Sequence, residues 1–152
     1  MTEIKMKRNI LFVCTGNSCR SVMAEGLFKR SVGENKDFAV SSAGVSAVDG
    51  FGASAPTIEV MRANGVDVSG HSSRRLTAPM VRIADHIFVM EHGHRDFIVR
   101  TWPEAREKVH LLADDQEVPD PMMMGGYEGV FHMIEGQIQK ITKTLGVIHK
   151  GD

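Results

Sequence analysis

The chain has 152 residues, 42% of them hydrophobic and 24% charged, which suits one compact domain, residues 1–152, with a substantial core. Its 18 Lys and Arg against 19 Asp and Glu leave a formal charge of -1, so no bulk positive field is available to hold nucleic acid. The polar start MTEIKMKRNILFV does not read as a secretory signal, and no stretch approaches the roughly 20 apolar residues that span a bilayer. A cytoplasmic protein with no membrane partner is the expectation. There the 2 cysteines, Cys14 and Cys19, stay reduced and become candidates for reactivity before structure.

Ile10 to Val13 is a continuous apolar run of the kind a strand buried on both faces requires. Ser21 then stands where a helix N-cap belongs, with Val22, Met23, Leu27 and Phe28 near helical spacing behind it. Phe38 to Gly44 reads as a second strand, and Ala55 to Asn64, closed by Gly65, as a helix with its C-cap. His86 to Met90 is a third apolar strand, followed by a helix from about His92 to Arg100, and Lys108 to Leu112 is a fourth strand. A loop rich in Asp and Pro leads to Gly125-Gly126 and a last helix, in which Val130, Ile134, Ile138 and Ile141 recur at helical spacing. This alternation predicts an α/β fold with a parallel sheet flanked by helices, its ligands bound beyond the carboxyl ends of the strands.

The segment Cys14-Thr15-Gly16-Asn17-Ser18-Cys19-Arg20-Ser21 lies at that edge. Consecutive backbone N–H groups ahead of a helix can converge on an anion, and Gly16 and Asn17 most readily accept the left-handed backbone such a turn needs. Arg20 can clamp two phosphate oxygens with its planar fork, while Cys14 faces the phosphorus. Attack by a thiolate near neutral pH requires roughly 2 kcal/mol of stabilisation relative to a free thiol. A helix N-terminus supplies only about 0.3 to 1 kcal/mol of it, so Arg20, the loop amides and Ser21 must share the remainder.

The strand running into Cys-x-Gly-Asn-x-Cys-Arg-Ser closely resembles the low-molecular-weight protein tyrosine phosphatases. Ser41-Ser42-Ala43-Gly44, Gly70-His71-Ser72-Ser73-Arg74 and Asp120-Pro121 ahead of the last helix are similar to further motifs of that family, in its order. The resemblance implies a three-layer domain around a four-stranded parallel sheet, acting on a phosphorylated protein through a phosphocysteine, with no cofactor and no metal. It makes Cys14 the nucleophile, Arg20 the phosphate clamp and Asp120 the acid and then base. Asn17, Ser42 and His71 would hold the loop, and Ser21 would stabilise the Cys14 thiolate.

Departures from the family pattern bear on specificity. Val22 replaces a Pro common after the Arg-Ser pair, and Met122-Met123-Met124 stands where many tyrosine phosphatases carry aromatic residues; Phe51 and Tyr127 are the candidates for a replacement aromatic wall. Ser18 is small and hydroxylated where tyrosine-specific members are bulky and apolar, and the related protein arginine phosphatases have Thr there. Phosphotyrosine is the first expectation and phosphoarginine the alternative. Arsenate reduction by thiol relay is disfavoured, because no cysteine beyond Cys14 and Cys19 exists to relay oxidation, although a reversible bond between these two is chemically open. Glu91-His92-Gly93-His94 with Asp96 could present two imidazoles to a metal, but nothing completes the set, and histidines at a helix start are the simpler reading.

Overall fold

The computed structural model describes residues 7–124 and 126–147, without the side chains of Met123 and Met124. Four strands, β1 (Arg8–Cys14), β2 (Phe38–Gly44), β3 (His86–Val89) and β4 (Val109–Leu111), form one sheet in the order β2-β1-β3-β4. Every pairing is parallel, as alternation with helices requires. Central β1 is flanked on both edges, with Phe12 opposite Ser42 on one side and Phe88 on the other.

The unbroken apolar run of β1 divides by alternation between two cores. Ile10, Phe12 and Cys14 face α1 (Arg20–Val32), α2 (Ala55–Ala63) and α6 (Tyr127–Thr144), while Leu11 and Val13 face α3 (Ala78–Ile83) and α4 (His92–Thr101). Phe12 anchors the first core, its ring 5.8 Å from those of both Phe28 and Phe88. Val130, Ile134 and Ile138 bury one face of α6 against the same core. The expected three-layer α/β architecture is therefore present.

The departures are local. The first helix starts at Arg20 behind Cys19, so Ser21 is not its N-cap but lies inside the first turn, where its hydroxyl turns inward. The second helix ends at Ala63, with Asn64 as C-cap and Gly65 at φ 82°, one residue short of the expected span. Short helices at Ala78–Ile83 and α5 (Pro121–Met124), and a 3₁₀ turn at Pro103–Lys108, stand where no helix was expected. Each is too brief to display a helical period. Gly125, expected in the turn before α6, lies outside the described residues. Among the described residues, no helix is long and apolar enough to cross a membrane.

Candidate functional site

Strand β1 delivers Cys14 to the carboxyl edge of the sheet, and the chain then turns through residues 15–19 into α1. Asn17 takes φ 54°, the left-handed region that glycine and asparagine tolerate best, and it is fully buried. Its amide is completely engaged: Nδ2 donates to Ser21 Oγ at 2.8 Å and to Ser42 Oγ at 2.9 Å, while Oδ1 accepts the Arg74 backbone N–H at 2.9 Å. His71 Nε2 adds a 2.8 Å bond to the Asn17 carbonyl. Ser42 Oγ–H donates a hydrogen bond to Glu25, whose carboxylate also pairs with Lys29 at 2.6 Å.

Asn17 occupies one lone pair of Ser21 Oγ, and the same oxygen lies 3.0 Å from Cys14 Sγ, so the hydroxyl hydrogen is within reach of a thiolate there. The thiol is buried, so this bond acts where water cannot compete. Among the described residues, no N–H from Gly16 to Cys19 donates a hydrogen bond, which leaves a row of donors lining the turn. Close approach of β2 supports the turn from below. A Cβ on Gly44 would fall 2.5 Å from the Thr15 carbonyl oxygen and 2.9 Å from the Asn17 nitrogen, so only glycine fits without displacement.

Arg20 is 3% exposed, and its Nη1 donates to Glu91 Oε2 at 2.5 Å and to the Val118 carbonyl at 2.9 Å. Both hydrogens of that nitrogen are thus held, and the guanidinium plane is set by the exit of β3 and by the loop ahead of Asp120. The same loop is drawn in by the Val118 N–H, which donates to Met90 O at 2.8 Å. Asp120 itself is partly buried, and its Oδ1 accepts the Met122 N–H at 2.9 Å, the turn-shaping bond an Asp-Pro pair commonly makes. No direct bond joins it to Cys14; Val118 links its loop to Arg20.

Cys19, reduced like Cys14, lies 3.2 Å from Ser54 Oγ and 3.9 Å from the Tyr127 hydroxyl. Partial burial and then the charge of neighbouring Cys19 hold the Tyr127 phenol above its ordinary pKa, with Asp120 acting in the same direction. Tyr127 therefore stands at the rim between the turn and the Asp120 loop, while Phe51 and Met122 are exposed, at 64% and 66%. Ser18 is partly buried, its carbonyl accepting the Ser54 N–H at 3.0 Å.

Three participants escaped the sequence reading: Glu91, His94 and Glu25. Glu91 and His94 were noticed only as metal-ligand candidates, a role their geometry does not favour. His94 is buried and hydrogen-bonded to Thr15 Oγ1 at 2.8 Å, whereas His92 and Asp96 are exposed. Among the described residues, no group of three or more His, Cys, Asp or Glu is placed to hold a metal.

The family model described as "Low molecular weight phosphotyrosine protein phosphatase" matches residues 9–149. A probable low molecular weight protein-tyrosine-phosphatase of Erwinia amylovora, AmsI, is 36% identical over 145 residues, covering 92% of this chain and 99% of the relative. A protein-arginine-phosphatase of Geobacillus stearothermophilus is 35% identical over 148 residues, covering 92% and 95%. The structure of the Geobacillus stearothermophilus arginine phosphatase YwlE superimposes with a TM-score of 0.85 at 33% identity, covering 91% of this chain and 93% of that one. The Escherichia coli tyrosine phosphatase Wzb, solved with sulphate, gives 0.84 at 35% identity, covering 93% and 100%. With its fold, its turn and these relatives in agreement, the chain belongs to the low molecular weight phosphotyrosine protein phosphatase family.

Proposed function

We propose that the protein removes phosphate from phosphotyrosine on cytoplasmic protein substrates in two steps, with Cys14, Arg20 and Asp120 as its catalytic residues. The observation that supports this reading most directly is the turn itself: a buried thiol, a hydroxyl aimed at it, a row of uncommitted N–H groups, and a guanidinium fixed at one nitrogen. The N–H groups of residues 16–19 and the Nε–Nη2 edge of Arg20 take the phosphate oxygens. Cys14 Sγ attacks phosphorus as the bond to the phenolic oxygen breaks, and Asp120 gives that oxygen its proton. Asp120 then takes a proton from water, the resulting nucleophile attacks phosphorus, and the S–P bond breaks to release orthophosphate and the thiolate. Asn17, Ser42 and His71 hold the turn, and Ser21 stabilises the thiolate.

Phosphoarginine is the second reading, favoured by the small hydroxyl at Ser18 and by the arginine phosphatase among the relatives. The discriminating experiment is kcat/KM on matched peptides bearing phosphotyrosine or phosphoarginine, assayed without acid quenching because the phosphoramidate bond is labile, with Cys14→Ser as the blank. A preference for phosphotyrosine is expected. A preference for phosphoarginine would overturn the first reading and make Ser18 the selector.

A further inference from the structure

His94 sits at the start of α4 with 5% of its surface exposed, and both of its ring nitrogens are engaged. Nδ1 accepts the backbone N–H of Glu91 at 3.1 Å, so it carries no proton. The ring proton therefore lies on Nε2, which donates to Thr15 Oγ1 at 2.8 Å. Thr15 is also held from the opposite side, since Val45 N–H donates to the Cys14 carbonyl at 3.0 Å and Ser46 N–H to the Thr15 carbonyl at 2.9 Å. The first residue after the nucleophile is thus gripped between the exit of β2 and the start of α4.

We propose that neutral His94 is a positioning residue for the phosphatase reaction, fixing the first turn of the phosphate loop through Thr15 Oγ1, and that a proton on Nδ1 releases this grip. The inference rests on the phosphatase reading and adds to it a residue and a pH response. A charged imidazole would set an Nδ1–H against the Glu91 N–H, leaving that backbone donor without its acceptor and pushing the ring away. Glu91 is also the partner of Arg20, so one event disturbs both the loop and the clamp. The charged groups facing the ring are Arg20 from α1, Glu91 from the cap of α4 and Glu117 from the segment ahead of Val118. Burial first, and then Arg20, hold the imidazole below its ordinary pKa against the opposing pull of the two carboxylates. The ring is neutral near pH 7 and charges only on the acid side of about 6.5.

Two substitutions separate positioning from simple folding. His94→Asn puts an amide oxygen near the Nδ1 site and keeps the helix cap, but it cannot reach Thr15. His94→Gln puts an amide N–H near the Nε2 site, keeps the bond to Thr15 and cannot titrate. With an aryl phosphate at pH 7, kcat of His94→Asn and of Thr15→Val should each fall about 3- to 10-fold, the value of one neutral hydrogen bond, with weaker inhibition by orthophosphate. The double variant should be no worse than either single one, and His94→Gln should restore most of the rate. Between pH 7 and 5, the wild type should lose kcat relative to His94→Gln. Wild-type kcat and phosphate inhibition in His94→Asn, additive losses in the double variant, or identical pH profiles for wild type and His94→Gln would each overturn the proposal. Should His94→Asn fail to fold, Thr15→Val and the pH comparison decide the matter. A wild type without activity on any phosphate ester, or a Cys14→Ser variant with full activity, would instead refute the phosphatase reading.

Discussion

Gly44 contributes no side chain, yet replacing it with Ala should damage activity more than most surface changes near the site. The new Cβ would lie 2.5 Å from the Thr15 carbonyl oxygen and 2.9 Å from both the Asn17 nitrogen and the Ala47 Cβ. Ordinary contact needs about 3.4 Å, so the loop or β2 must give by up to about 0.9 Å. β2 is poorly placed to yield, because Gly44 N–H donates to Arg74 O and Gly44 O accepts from Leu76 N, both at 2.9 Å. Gly44 is not among the residues with positive φ, so Ala meets no backbone penalty and the whole effect is steric. Overpacking of this kind costs about 1–3 kcal/mol, or about 2–4 °C of Tm per kcal/mol in a chain of this size. Displacing the Thr15 and Asn17 backbone by close to 1 Å should cost about 10²-fold in kcat/KM. The assay is kcat/KM on an aryl phosphate with the orthophosphate inhibition constant and Tm measured beside it. Activity and phosphate inhibition equal to wild type would show that the loop does not rest on β2 in the manner argued.

Asp120→Asn should lower kcat by roughly 10²- to 10⁴-fold for poor leaving groups while sparing orthophosphate inhibition, and an undiminished rate would remove Asp120 from the mechanism. Stability should fall on acidification below about pH 6.5, because His86 and His94 both have pKa values lowered mainly by burial. A folded-state value below the unfolded one means that the unfolded chain binds more protons in that window, so the contribution is complete above about 6.5 and is lost as pH drops through the folded values. Chemical denaturation at pH 7.5 and 5.5 checks this: His94→Gln should flatten the pH dependence, and an unchanged slope would contradict the assignment.

Local chemistry made the central features of this fold readable. A four-residue apolar run such as Ile10 to Val13 has little use except between two hydrophobic layers, and Gly-Asn ahead of Arg-Ser has few explanations other than an anion-binding turn. Asn17 is hydrogen-bonded to Ser21, Ser42 and His71, all four of them residues that the motifs single out. Glu91 and His94 could not be assigned that way, since only the placement of β3 beside β1 brings residue 91 to Arg20 and residue 94 to Thr15. Read as a pair, His92 and His94 suggested shared ligation. At about 100° per residue they point roughly 200° apart on a helix, which is why one is buried and the other faces solvent. Ser21 showed the opposite error: the helix starts one residue ahead of it, so a residue typed for a cap sits inside the first turn, with its hydroxyl 3.0 Å from Cys14 Sγ.

Sheet order carries one more consequence. From β1 the chain passes to β2 on one side and later crosses to β3 on the other, so the connections leaving β1 and β3 diverge to opposite faces and open a crevice between them. The Arg20–Glu91 ion pair and the Thr15–His94 hydrogen bond both span that crevice. One hydrophobic layer, with α1, lies behind Arg20, and the other, with α4, lies behind His94. The carboxyl edge of the sheet is therefore also a seam, stitched by these two polar bonds, through which the two halves of the molecule register against each other.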